Sequence, residues 1–159
     1  MKFNNETLRA AVKEWLEDET KAKAFYGHIS DWDVSNVTDM SFMFWKATSF
    51  NQPLNNWDVN KVTDMSYMFN DAKTFNQPLN NWDVSKVTNM KGMFYWATAF
   101  NQPLNNWDVS KVTNMQNMFQ KASSFNQPIG DWVVSNVSDF DLFSEDAPLS
   151  ETNKPNFIQ

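Results

Sequence analysis

Residues 75–90, FNQPLNNWDVSKVTNM, recur letter for letter as residues 100–115, and near-copies begin at Phe50 and Phe125. A chain that repeats itself every 25 residues is restricted to few architectures. Each copy meets nearly the same surroundings as its neighbours, and one copy is too short to bury its own apolar side. The copies must therefore stack and bury that side against one another. The invariant columns say which residues do so. Tryptophan stands at 32, 57, 82, 107 and 132, phenylalanine at 44, 69, 94 and 119, and alanine at 47, 72, 97 and 122. Methionines come in pairs (Met40 with Met43, and so on to Met115 with Met118), which accounts for every Met except Met1.

Two apolar periods run through one repeat. In LNNWDV, Leu54, Trp57 and Val59 follow an LxxLxL spacing whose last part alternates as in a strand. Val62, Met65, Met68, Phe69 and Ala72 then recur every three or four residues, as on one face of a short helix. Pro53 precedes the first of these, where a missing N–H breaks no central ladder. The pattern predicts an α/β repeat solenoid, leucine-rich-repeat-like, with about five coils of short strand plus short helical segment. Strands spaced at about 4.8 Å would make the repeat body about 24 Å long.

The ends depart from the repeat. Residues 1–28 read as a helical N-terminal cap: Leu8, Ala11, Val12, Trp15 and Leu16 share a face, Asn4 or Asn5 can cap the start, and Gly27 can end it. Residues 29–143 are the repeats. In the last of them, Phe140, Leu142 and Phe143 replace the Met-Met-Phe trio with what reads as one residue deleted. Residues 144–159 read as an irregular C-terminal cap, giving one structural domain overall.

The unit VTxMxxMFxxAxxFNQPLxxWDVSxVT resembles the repeat of the BspA-like leucine-rich-repeat surface proteins, from about Leu8 to Phe143. The resemblance implies a leucine-rich-repeat solenoid, a role in adhesion or protein binding, and a cell-surface or secreted location. It brings no catalytic residues with it. The opening MKFNNETLRAAVKEW has no unbroken apolar stretch of the kind found in a signal peptide, and no run of about 18 apolar residues marks a membrane span. The compartment is therefore not fixed by the sequence.

Charge and composition narrow the function classes. A formal net charge of -6 opposes binding to nucleic-acid phosphates, since no basic face is visible. With no cysteine, disulfides, thiol catalysis and cysteine-held metals are excluded. His28 is the only histidine and reads as a structural hydrogen-bonding residue. Carboxylates are plentiful, but repetition makes them equivalent, whereas acid–base catalysis needs two groups in different environments. No enzyme, cofactor or metal site is expected.

Two surfaces remain as candidates. If Trp57 and Val59 point inward, their neighbours point out, and the strand face becomes Asp33, Asn56, Asp58, Asn81, Asp83, Asn106 and Asp108. Aligned carboxylates repel one another and need compensation. They either offer oxygens to calcium or a basic ligand, or accept local backbone hydrogen bonds with help from Lys61, Lys86 and Lys111. A column of Asn51, Asn76, Asn101 and Asn126 reads as a buried structural ladder. The second candidate lies where the repeats differ: Phe42, Trp45, Tyr67, Tyr95 and Trp96 flank the helical segments of the first three copies. Such rings either form an interface or fold back to thicken the core. The expected function is a non-enzymatic protein-interaction or adhesion module, its partner another protein or a glycan, with no membrane insertion. The alternatives are a self-assembling structural or spacer protein and a calcium- or glycan-binding repeat protein.

Overall fold

The structure, a computed structural model, describes residues 1–157. Helices α1 (Asn5–Glu17) and α2 (Glu19–Tyr26) open the chain, followed by a single 3-10 turn at Ile29–Asp31. Helix α1 begins at Asn4, whose side chain accepts the N–H groups of Glu6 and Thr7 while the Thr7 hydroxyl accepts the N–H of Asn4. This reciprocal cap satisfies donors that would otherwise be orphaned at a helix start. Leu8, Ala11, Val12 and Trp15 are buried beneath α1, whereas Leu16 is 42% exposed. Gly27, at φ +80°, ends α2 in a conformation that L side chains resist.

The repeats stack, but not as expected. Among the described residues they contain no strand and, beyond the 3-10 turn at Ile29–Asp31, no helix, so the expected α/β solenoid with coils of strand plus helix is not formed. Among the described residues, regular pairing is limited to isolated parallel bridges, one residue wide: one joins Lys2 to Asp33, and the others link Asp39, Asp64, Asn89, Asn114 and Asp139 in turn. The alternation in LNNWDV foretells burial correctly, since Trp57 and Val59 are buried and Asp58 is exposed. It misleads about hydrogen bonding. The Trp57 N–H turns back to the Leu54 carbonyl (3.0 Å) and the Val62 N–H to the Val59 carbonyl (2.9 Å). Asparagine pairs and Asn60-Lys61 form the corners of these turns, and turn-forming side chains compete with the ladder a strand needs.

The helical expectation fails for a related reason. In the first repeat, Met43, Trp45 and Ala47 donate to the carbonyls three residues back, at 3.0–3.2 Å. The intervening donors of Met40, Phe42, Phe44 and Lys46 reach instead to Asp64, Ser66, Met68 and Asn70 of the next repeat, at 2.8–2.9 Å. Local turns and inter-repeat bonds thus interleave, residue by residue, and no donor remains for a helical i→i−4 bond. This geometry needs two left-handed residues per repeat. Phe42, Tyr67, Gly92, Asn117 and Leu142 form one such column and Lys46, Asp71, Trp96, Lys121 and Asp146 the other, all at φ 55–60°. Only one of the ten is glycine, so nine positions each hold a conformation uphill by roughly 1 kcal/mol or more.

The side chains inside make the stack one continuous core. Phe44, Phe69, Phe94 and Phe119 follow one another at 5.4–5.6 Å between ring centroids, and Phe50, Phe75, Phe100 and Phe125 at 6.0 Å. The indole N–H groups of the repeat column have a fixed use. Trp57, Trp82, Trp107 and Trp132 donate to the carbonyls of Ile29, Leu54, Leu79 and Leu104 at 2.8–3.0 Å, tying each repeat to the one before. The asparagine ladder forms too, although it is exposed rather than buried: Asn51, Asn76 and Asn101 accept the N–H of the next Asn at 2.9–3.1 Å.

The two ends are closed differently. At the first repeat, Arg9 of α1 donates to the carbonyls of Ser41 (2.6 Å) and Asp39 (3.4 Å), and Asn5 accepts the N–H of Thr38 (2.8 Å). At the last, Asn153 bonds to the carbonyl and side chain of Asn126, and Phe157 stacks on Phe140 at 4.6 Å. Gly130 stands where earlier repeats carry Asn, and a Cβ there would meet the Thr152 carbonyl at 3.0 Å. The last repeat has lost no residue: Phe119 donates to Phe143, as Phe94 does to Met118, and Leu142 keeps its left-handed place. Phe143 therefore occupies the methionine position and Ser144 the phenylalanine position.

Candidate interaction surface

The carboxylates of the expected strand face are engaged locally. Asp33, Asp58, Asp83 and Asp108 each accept the N–H two residues on, from Ser35, Asn60, Ser85 and Ser110, at 3.0–3.2 Å. Hydrogen bonds from the serine hydroxyls and then their N–H groups hold the carboxyls of Asp33, Asp83 and Asp108 below the ordinary aspartate range. The Asp108 charge pushes Asp83 the other way, so neighbours in the column repel each other, but the hydrogen bonds outweigh that repulsion. Lys61 does not pair with this column; its Nζ donates to Asn36 at 3.1 Å. Asn56, Asn81 and Asn106 lie exposed beside the carboxylates, and the Asn81 N–H donates to the Asn55 side chain at 3.0 Å. Among the described residues, no three His, Asp or Glu side chains converge as metal ligands would. These aspartates act as turn formers.

The aromatic residues occupy the turn sector of the repeats, on and beside the two left-handed columns. Phe42 and Trp96 hold left-handed positions and are 48% and 41% exposed. Trp45 is 49% exposed, and Tyr67 and Tyr95 are half-buried. The structure gathers them into two groups. Phe42 stacks on Tyr67 at 4.9 Å and meets Trp45 edge-on at 6.2 Å. Tyr67 in turn lies over Gly92, where a Cβ would come within 2.4 Å of its ring. Tyr95 and Trp96 form the second group, 6.0 Å apart.

Lysines frame both groups. Lys46 Nζ lies 4.5 Å from the Trp45 ring centre, and the Trp96 ring has Lys121 at 5.0 Å and Lys73 at 5.9 Å. Exposed aromatic faces with flanking cations suit carbonyl- and carboxylate-rich partners, since a ring and an ammonium can engage a carboxylate and its apolar stem together. Asp71 Oδ1 is buried nearby with no hydrogen bond, 3.5 Å from Lys73 Nζ.

The sequence does not foretell that Leu16 joins this surface. It lines one cleft of about 340 Å³ with Val12 and Phe42 and a second of about 330 Å³ with Trp45 and Lys46. Helical spacing places Leu16 on the buried face, but α1 crosses only part of the first repeat and leaves its last turn over the clefts. Gly92 carries the other missed signal, because a glycine in an otherwise bulky column marks a seat for its neighbour's ring.

Residues 11–90 and 55–156 match the family described as "Mycoplasma protein of unknown function, DUF285", and the chain belongs to that family. No curated protein and no solved structure matches it. Among the described residues, no helix is long and apolar enough to cross a membrane.

Proposed function

We propose that this chain is a non-enzymatic interaction module that holds another protein against its aromatic edge. The observation that carries this reading is the exposure of Phe42, Trp45 and Trp96 on one side of a stack whose other large rings are almost all buried. Packing does not require these side chains, since the same positions of the fourth repeat are filled by Asn117, Gln120 and Lys121. Rigid aromatic anchors give much contact area for little lost freedom, which is why they dominate binding energy at protein interfaces. The likeness of the repeat to BspA-like surface proteins supports an adhesive role at a cell surface as the finer form of this proposal.

The test is capture and then direct titration. Wild-type chain, Phe42→Ser/Trp45→Ser/Trp96→Ser and Asp58→Ser/Asp83→Ser/Asp108→Ser are immobilised and exposed to lysate of the source cell. A protein retained by the wild type is purified and titrated against all three. Loss of affinity in the aromatic variant alone supports the reading. Equal affinity for wild type and aromatic variant refutes it, as does the absence of any retained protein.

A further inference from the structure

The two end caps leave the same sector of the stack bare, with opposite hydrogen-bonding character. At the first repeat Arg9 occupies the carbonyls of Asp39 and Ser41, but among the described residues nothing donates to the carbonyls of Met43 and Trp45. Their counterparts Met68 and Asn70 accept from Phe44 and Lys46. At the last repeat, among the described residues, nothing accepts from the N–H groups of Ser144 and Asp146, whereas their counterparts Phe119 and Lys121 donate to Phe143 and Glu145. Among the described residues the N–H groups of Phe140 and Leu142 are bare as well, but their places at the first repeat are the Asp39 and Ser41 carbonyls that Arg9 fills, so the two bare acceptors of one end match the Ser144 and Asp146 donors of the other.

We propose that the chain associates head to tail with a second copy of itself, the last repeat of one molecule seating on the first repeat of the next. Ser144 and Asp146 then donate to Met43 and Trp45 of the second copy, continuing the register that runs through the stack. The side chains agree with this docking. Leu142, 49% exposed, ends the column that Phe42 begins. In register it enters the cleft of about 340 Å³ lined by Val12, Leu16, Phe42 and Met43. Asp146 ends the column that Lys46 begins, so it meets that lysine, which makes no ion pair among the described residues. Glu17 and Glu19 stand at the same end, so the complementarity is that of placed pairs and not of net charge. Exposed ladder edges are templates for another chain, and a head-to-tail contact that continues the register of the stack adds molecules without closing into a ring.

The proposal goes beyond the aromatic-edge reading and shares Phe42, Trp45 and Lys46 with it, yet it fails separately, since Asp146 takes no part there and Trp96 takes none here. The full chain is followed by sedimentation from micromolar to millimolar concentration, beside Lys46→Asp, Asp146→Lys and the double exchange. Both substitutions place residue types that the chain already holds left-handed, at Asp71 and at Lys46 and Lys121. The expected result is a mean mass that climbs without plateau, each single reversal weakening association about tenfold and the double exchange restoring it. Hydrogen exchange at the Ser144 and Asp146 amides slows with concentration in the wild type. A chain that stays monomeric to millimolar concentration overturns the proposal, as does a mass that levels off at a dimer or single reversals without effect.

Discussion

Replacing Gly92 by alanine tests two features at once, the left-handed column and the ring seated upon it. At φ +58° a Cβ is disfavoured whatever the space around it, by roughly 1–2 kcal/mol. The space is also taken: the new Cβ would lie 2.4 and 2.5 Å from two atoms of the Tyr67 ring. That ring is half-buried and stacked on Phe42 at 4.9 Å, so it escapes the clash by giving up a stack worth about 0.5–1.5 kcal/mol. The expected loss is therefore about 2–3 kcal/mol in the wild type. In a Tyr67→Ser background the clash and the stack are both absent, and only the backbone term of roughly 1–2 kcal/mol remains. Urea unfolding of the four chains in this cycle yields a coupling of about 1 kcal/mol between the two sites. Equal losses in the two backgrounds would refute the reasoning, because they would mean that the ring does not rest on the glycine.

Phe94→Ala empties the centre of the stack, where the ring sits 4.1 Å from Phe100 and between Phe69 and Phe119. A loss of about 3–5 kcal/mol in urea unfolding is expected, and one below about 1 kcal/mol would mean that the column collapses to close the hole. Asp71→Gly relieves a left-handed residue and removes a buried oxygen without a hydrogen bond, at the expense of one contact with Lys73. Stabilisation of about 1 kcal/mol is expected by the same assay, and destabilisation would show that the lysine contact matters more. The carboxyls of Asp33, Asp83 and Asp108 titrate lower in the folded chain than when unfolded. Their contribution is thus complete above about pH 4, where unfolded aspartates ionise, and is lost as pH falls through the lower folded-state values. Thermal melts should show a fall in Tm confined to that acid range, and a smaller one for Ser85→Ala/Ser110→Ala.

Burial was more legible than hydrogen bonding. The Trp, Phe, Met and Ala columns follow from spacing alone, and all of them are core. Asn4 and Gly27 likewise mark the helical region by residue type, because a helix start needs an acceptor for spare N–H groups and its end tolerates a glycine. What spacing could not reveal is where the N–H groups of Met40, Phe42, Phe44 and Lys46 go. A period of three or four residues is shared by a helix and by a run of i→i−3 turns whose alternate donors reach another repeat. The deciding residues are left-handed Phe42, Lys46 and Trp96, and none of these types advertises that conformation. Gly92 and Asn117, in the same column, do. On the candidate surfaces, the exposed positions of Asp58 and Trp45 were readable. The clefts beside Leu16 depend on how α1 crosses the first repeat, which no local pattern encodes.

The indole and backbone bonds that join repeats all span about one repeat length, and the segments they join at 75–90 and 100–115 are identical. A chain that skipped one repeat, looping it out and pairing its neighbours directly, would therefore regain almost every bond between repeats. The two ends fix only where the stack begins and where it stops. Arg9 and Asn5 fit the first repeat, and Asn153 and Phe157 fit the last, so neither end registers how many repeats lie between them. Changes in repeat number should then be tolerated between the ends, and errors of folding should appear as whole repeats gained by or missing from the stack.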